Sequence, residues 1–130
     1  TDIIETQLMD AARYNSELED QYDFVLADVP CSGLGVMSTK PEISLRTDMD
    51  NIKKLPELQL SILRNAVRYA KPGGRICYST CTLNKAENEE VIAALAAEDP
   101  TFGCIVEMNT ILPYNNTIGF YYCIIEKSMR

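Results

Sequence analysis

Apolar positions along the chain fall into short blocks separated by polar, proline- and glycine-bearing stretches. Ile3, Ile4, Gln7, Leu8 and Met9 read as a short extended segment, and acidic, polar residues follow as far as Tyr22-Asp23-Phe24-Val25-Leu26-Ala27-Asp28. The continuous apolar centre of that run predicts a strand covered on both faces, as parallel sheets are. It stops at Val29-Pro30, because proline ends regular pairing, so Asp28 falls at a carboxyl end. Residues 31–46, with Gly33, Gly35 and Pro41, predict a long surface loop, and such loops in small domains are usually functional. From 56 to 70 the positions Leu58, Leu60, Ile62, Leu63, Ala66, Val67 and Tyr69 recur at helical spacing, with Pro56 in the first turn and Lys71-Pro72-Gly73-Gly74 as terminator. A second buried strand follows over 75–80. Asn84 and Glu87 have capping-box spacing at the head of a helix over 85–98 that turns Val91, Ile92 and Leu95 inward. Two closing strands, over 102–108 and 119–126, complete the pattern. Alternating strands and helices predict an α/β fold with a parallel sheet, whose ligands bind beyond the carboxyl ends of the strands.

Composition narrows the chemistry. The chain has 130 residues, 46% hydrophobic and 24% charged, which suits one core and excludes disorder. No run approaches the roughly 20 apolar residues of a membrane helix, and the chain opens without a basic, apolar signal segment, so a cytoplasmic protein with no membrane partner is expected. Histidine is absent, which removes Ser-His-Asp and Cys-His catalysis and every imidazole metal site. Five irregularly spaced cysteines suit reduced thiols, and no ligand spacing for a metal is present. Residues 1–39 carry one base against eight acids, 40–75 eight against four, and 76–130 three against seven. Only the middle stretch favours an anionic partner, and a net charge of −7 argues against holding nucleic acid by charge alone.

Two peptides are expected at the carboxyl rim, Asp28-Val29-Pro30-Cys31-Ser32-Gly33 and Tyr78-Ser79-Thr80-Cys81-Thr82. One βαβ crossover would bring a carboxyl group and two thiols together there. Cys81 stands three residues before the cap Asn84, so the positive end of the following helix is expected to favour its thiolate. Taken from the residues alone, Cys31 and Cys81 could equally be buried or close as a redox pair, Asp28 could cap a loop, and Glu87 reads as a cap. Cys77, Cys104 and Cys123 lie among apolar neighbours and read as small buried hydrophobes.

In this order the chain resembles the Sun family of RNA (cytosine-5) methyltransferases, particularly the bacterial 16S ribosomal RNA methyltransferase B branch. The resemblance runs from about Asp10 to Lys127. It is carried by the two cysteine peptides, Lys40-Pro41-Glu42-Ile43, Leu58-Gln59, Lys71-Pro72-Gly73-Gly74 and Glu87-Asn88-Glu89. It implies a Rossmann-like class I methyltransferase sheet closed by an antiparallel strand, with S-adenosylmethionine as methyl donor and a cytosine in 16S ribosomal RNA as acceptor. Cys81 then matches the nucleophile that adds to C6, which converts C5 into an enamine-like carbon able to take the methyl group. Asp28 matches the carboxyl group beside the base, held protonated by burial, and also borders the cofactor. Cys31 matches the cysteine that assists release of the product. Asp10 aligns with an adenosine contact; Lys40 and Arg46, on the long loop, are expected phosphate contacts, and Asn88 is expected to orient the catalytic loop from its helix and to take part in substrate binding. The target base would have to leave its stack.

The resemblance is incomplete. The family's glycine-rich cofactor turn and the acidic residue of the following strand have no counterpart, and Gly33-x-Gly35 opens no amphipathic helix. Residues 1–130 are therefore expected to be the carboxyl-terminal portion of one methyltransferase domain, with the first strands and part of the cofactor site missing, inactive alone, and either self-associating through the edge of 22–28 or giving Ile3 to Met9 an altered partner. Two other readings stay open: a DNA cytosine-5 methyltransferase in which Cys31 attacks, and a noncatalytic Rossmann-like interaction module.

Overall fold

The computed structural model describes residues 3–32, 49–114 and 119–129. Its sheet contains β1 (Tyr22–Asp28), β2 (Ala70–Thr80), β3 (Phe102–Ile111) and β4 (Phe120–Lys127) in the order β1-β2-β4-β3. β1 and β2 are parallel, whereas β4 runs antiparallel to both neighbours. Helix α1 (Met49–Tyr69) makes the crossover between β1 and β2, and α2 (Glu89–Glu98) connects β2 to β3. This is the predicted α/β sheet with an antiparallel closing strand.

Alternation along the strands explains which face is filled. Ile76 pairs with Val25 and Ile125, and Tyr78 with Ala27 and Cys123, so all six lie on one face. Leu63, Ala66 and Val67 of α1 and Val91, Ile92 and Leu95 of α2 join them in one core. The opposite face carries Phe24, Leu26, Cys77, Tyr122 and Ile124, which alternate with the first set. Here the sequence expectation is corrected. β1 is covered on one face only: Phe24 is 54% and Leu26 64% exposed, because both described helices pack on the other side.

Three further boundaries differ from the pattern. Helix α1 starts at Met49, so Pro56 lies inside it instead of in its first turn, at the cost of one backbone donor. The predicted helix over 85–98 is broken: a three-residue 3-10 turn (Lys85–Glu87) ends at Asn88, whose φ of −115° and ψ of −101° interrupt the spiral before α2 begins. Residues 4–10 have no regular structure and pair with no strand, and Ile3 and Leu8 are fully exposed or nearly so. The Lys71-Pro72-Gly73-Gly74 stretch does end α1. It forms a bulge between the pairs Tyr22–Ala70 and Phe24–Arg75, and Gly73 takes a φ of 79° there that other residues rarely adopt.

Candidate active site at the carboxyl rim

β1 and β2 are parallel neighbours, so the segments that leave them emerge side by side. The Val29 amide still donates to the Ser79 carbonyl (3.2 Å), which carries the pairing one residue past β1. Cys31 follows β1 and Cys81 follows β2, and their sulfurs stand 3.1 Å apart. The Cys81 amide also donates to Cys31 Sγ at 3.4 Å. Both side chains are half-buried. Fifty residues apart in sequence, the two thiols form one site, as the two peptides predict.

The electrostatics reverse one expectation. The Cys81 thiol is pushed up to about 11 from 9.0, first by burial, then by its hydrogen bond with Cys31 and the neighbouring charges of Cys31 and Asp28. No helix end offsets this. The turn after Cys81 is only three residues long, and the Asn84 side chain takes its Ala86 amide. Asp28 accepts a hydrogen bond from Ser79 Oγ at 3.0 Å and is exposed, so the burial expected of it is absent among the described residues.

Glu87 does more than cap a helix. It is fully buried, and its two carboxylate oxygens accept from the Ser32 amide (2.8 Å), Ser32 Oγ (2.7 Å), Asn84 Nδ2 (2.8 Å) and Gln59 Nε2 (3.1 Å), with Thr82 Oγ1 at 3.4 Å. Gln59 Nε2 donates as well to the Pro30 carbonyl at 2.9 Å. The capping box is thus replaced by a bridge between the two cysteine segments and α1. Both residues carry a legible signal: Gln59 lies three and four positions before Ile62 and Leu63 on the inward stripe of α1, and Glu87 four before Val91. A polar group on a buried stripe must find partners.

Asn88 is 1% exposed and spends its whole amide on the chain beside Cys81: Thr80 Oγ1 donates to its Oδ1 (2.6 Å), and its Nδ2 donates to the Thr82 carbonyl (2.9 Å). This placement sets Asn88 against the residues on both sides of Cys81. Asp10 is exposed and closes its own turn by accepting from the Ala12 amide at 3.0 Å. Its neighbours Met9 and Ala11, together with Phe24, Leu26, Asp28 and Tyr69, line an open cleft of about 450 Å³ along β1. Lys40 and Arg46, with Gly33, Gly35 and Pro41, lie outside the described residues. Among the other cysteines, Cys123 is buried as expected, Cys77 is half-buried and Cys104 is exposed, which corrects its reading as a core residue.

An α/β sheet with two thiols beyond parallel strands places them where open sheets of this class bind their ligands. Residues 2–123 match the family model described as 16S rRNA methyltransferase RsmB/F, and the chain belongs to that family. This bears out the Sun-family resemblance. The chain is 36% identical, over 96% of its length, to a protein of Bacillus subtilis (strain 168) named probable ribosomal RNA small subunit methyltransferase B, of which it covers 32%. The solved structure titled PH0851 superposes with a TM-score of 0.79 at 34% identity, covering 84% of this chain and 27% of that one. A methyltransferase homolog from Pyrococcus horikoshii gives 0.64 at 27% identity, covering 85% and 41%. The chain thus spans about a third of the length of the curated relatives it matches.

Proposed function

We propose that this chain carries the catalytic rim of a methyltransferase that places a methyl group on C5 of a cytosine in small-subunit ribosomal RNA, with S-adenosylmethionine as donor. The observation that carries the reading is the 3.1 Å separation of the Cys31 and Cys81 sulfurs beyond two parallel strands. One thiol can add to a ring carbon while the other stands within reach of the same ring.

Cys81 is the nucleophile. Its sulfur bonds to C6 of the cytosine, and the ring electrons it displaces make C5 nucleophilic. The raised proton affinity of Cys81 means that its proton must leave as the bond forms, and it is taken up at the N3 edge of the ring, which gains the electron density that the added sulfur displaces. Asp28, which accepts from Ser79 Oγ, is the proposed partner for the N3 edge of the base. After methylation the C5 proton passes to the Cys31 sulfur, its C–H electron pair restores the C5–C6 double bond, and the Cys81 sulfur leaves with the pair that held it to C6. Lys40 and Arg46 contribute phosphate contacts, while Asn88 holds the backbone beside Cys81.

The cofactor, when bound, supplies the methyl group as an electrophile. The open, largely apolar cleft along β1 fits the flat adenine end of such a molecule, with Asp28 in its lining as one polar contact and Asp10, which stands between the lining residues Met9 and Ala11, proposed as the other. No glycine-rich turn for the remainder is found in the sequence. Residues 1–130 alone are accordingly proposed to be inactive and to self-associate through β1; turnover of cytosine-containing RNA by this piece would contradict the first of these.

Trapping experiments on the intact protein with cofactor and small-subunit ribosomal RNA test the reading. Cys81→Ala is expected to abolish the covalent protein–RNA adduct and turnover, and Cys31→Ala to accumulate adduct while slowing release. Adduct retained by Cys81→Ala and lost in Cys31→Ala would reject these assignments.

A further inference from the structure

The reaction uses two cysteines, and the parallel pairing of β1 and β2 brings their loops side by side, but the separation of the sulfurs depends on how the two loops are then joined. The polar group that joins these loops is Glu87. We infer that the buried Glu87 carboxylate is a positioning residue that sets the Cys31–Cys81 separation. This inference rests on the reading of both thiols as reactive.

Three observations support it. Glu87 is fully buried, and the groups around its two oxygens are all able to donate: the Ser32 amide and hydroxyl from the Cys31 loop, the Thr82 hydroxyl from the Cys81 loop, and the amides of Asn84 and Gln59. An ionised carboxylate is an acceptor-only group with about four lone-pair sites, so it satisfies this set where an amide or a hydroxyl does not. The bridged residues are also the immediate neighbours of the reactive ones: Ser32 follows Cys31 and Thr82 follows Cys81, and Ser32 Oγ and Thr82 Oγ1 lie 3.0 Å apart. Finally, the side that holds the loops is itself anchored. The Glu87 carbonyl accepts from the buried Tyr78 hydroxyl (2.6 Å), and Gln59 ties the same carboxylate to the Pro30 carbonyl and thus to α1.

Glu87→Gln places one NH2 among these donors. Whichever way the amide turns, one side faces groups that can only donate: the Ser32 amide and Gln59 Nε2 on one oxygen, Asn84 Nδ2 on the other. The two loops are then expected to separate while the sheet remains.

The sulfur separation can be read directly by crosslinking with diamide, which takes two electrons and two protons from the thiols as the Cys31–Cys81 disulfide forms and is itself reduced to the hydrazine. In the intact protein, Glu87→Gln should crosslink about tenfold more slowly than wild type, the size of effect expected from losing a hydrogen bond to a charged group. Alkylation of exposed Cys104 in the same samples should be unchanged, which separates a local shift from general loosening. Ser32→Ala keeps the amide link but loses the hydroxyl links, and should slow crosslinking by an intermediate, several-fold factor. It supplies the same test if Glu87→Gln does not fold. Unchanged crosslinking in a folded Glu87→Gln or, failing that, in Ser32→Ala overturns the inference. Slower crosslinking alongside a wild-type protein that forms no RNA adduct would leave the positioning role standing and reject the functional reading instead.

Discussion

The Cys81 thiol is held as a neutral group that must lose its proton to act. Burial comes first in raising Cys81, and the hydrogen bond and charge of Cys31 add to it. A group with a pKa of about 11 is about one part in a thousand thiolate at pH 8. Iodoacetamide should therefore modify Cys81 slowly at pH 8, with a rate that climbs as the pH rises from 9 toward 11. Both contributions of Cys31 raise the value, so Cys31→Ala should lower it and speed alkylation at pH 8; peptide mass spectrometry reads the site modified, and a slower reaction would refute the stated cause. The identity of the two cysteines was legible in the sequence, but their protonation was not. The sequence argument relied on a helix dipole, whereas the turn that follows Cys81 is too short to provide one.

Among the elements, the strands and the inward faces of the helices followed from periodicity, while the places where backbone meets backbone did not. β3 passes β4 through a register shift between Phe102 and Cys104, and Gly103 sits in it against the carbonyl of Glu126 and the amide of Ser128. No Cβ fits there without moving β4. Gly103→Ala is expected to cost about 1–3 kcal/mol in urea denaturation through that overpacking and to speed amide exchange along β3. A loss within 0.5 kcal/mol would mean that the strands adjust freely. The break at Asn88 has a related origin. Its side chain is committed to Thr80 and Thr82, and holding it there takes precedence over continuing a helix that Asn84 and Glu87 seemed able to start.

Across the whole molecule, asymmetry is the main feature. One face of the sheet holds both described helices and the core, while among the described residues β1 is paired on one edge only and exposes Phe24 and Leu26. An unpaired apolar edge strand is a template for another strand. Residues 1–130 should accordingly associate as concentration rises, and Leu26→Lys should shift sedimentation toward monomer by placing a charge on that strand; a wild-type chain that stays monomeric throughout would reject this. No described helix is long and apolar enough to cross a membrane.

By itself the sequence determined the order of strands and helices, the core stripe of each helix and the pair of cysteines at strand ends, because these depend on local periodicity and turn chemistry. The tertiary structure decided which sheet face stays open, that Asp28 is exposed, and that Glu87 and Gln59 join the two loops. Those properties depend on contacts between residues tens of positions apart, such as Ser32 with Glu87, and no local pattern encodes which distant donor will meet a buried carboxylate.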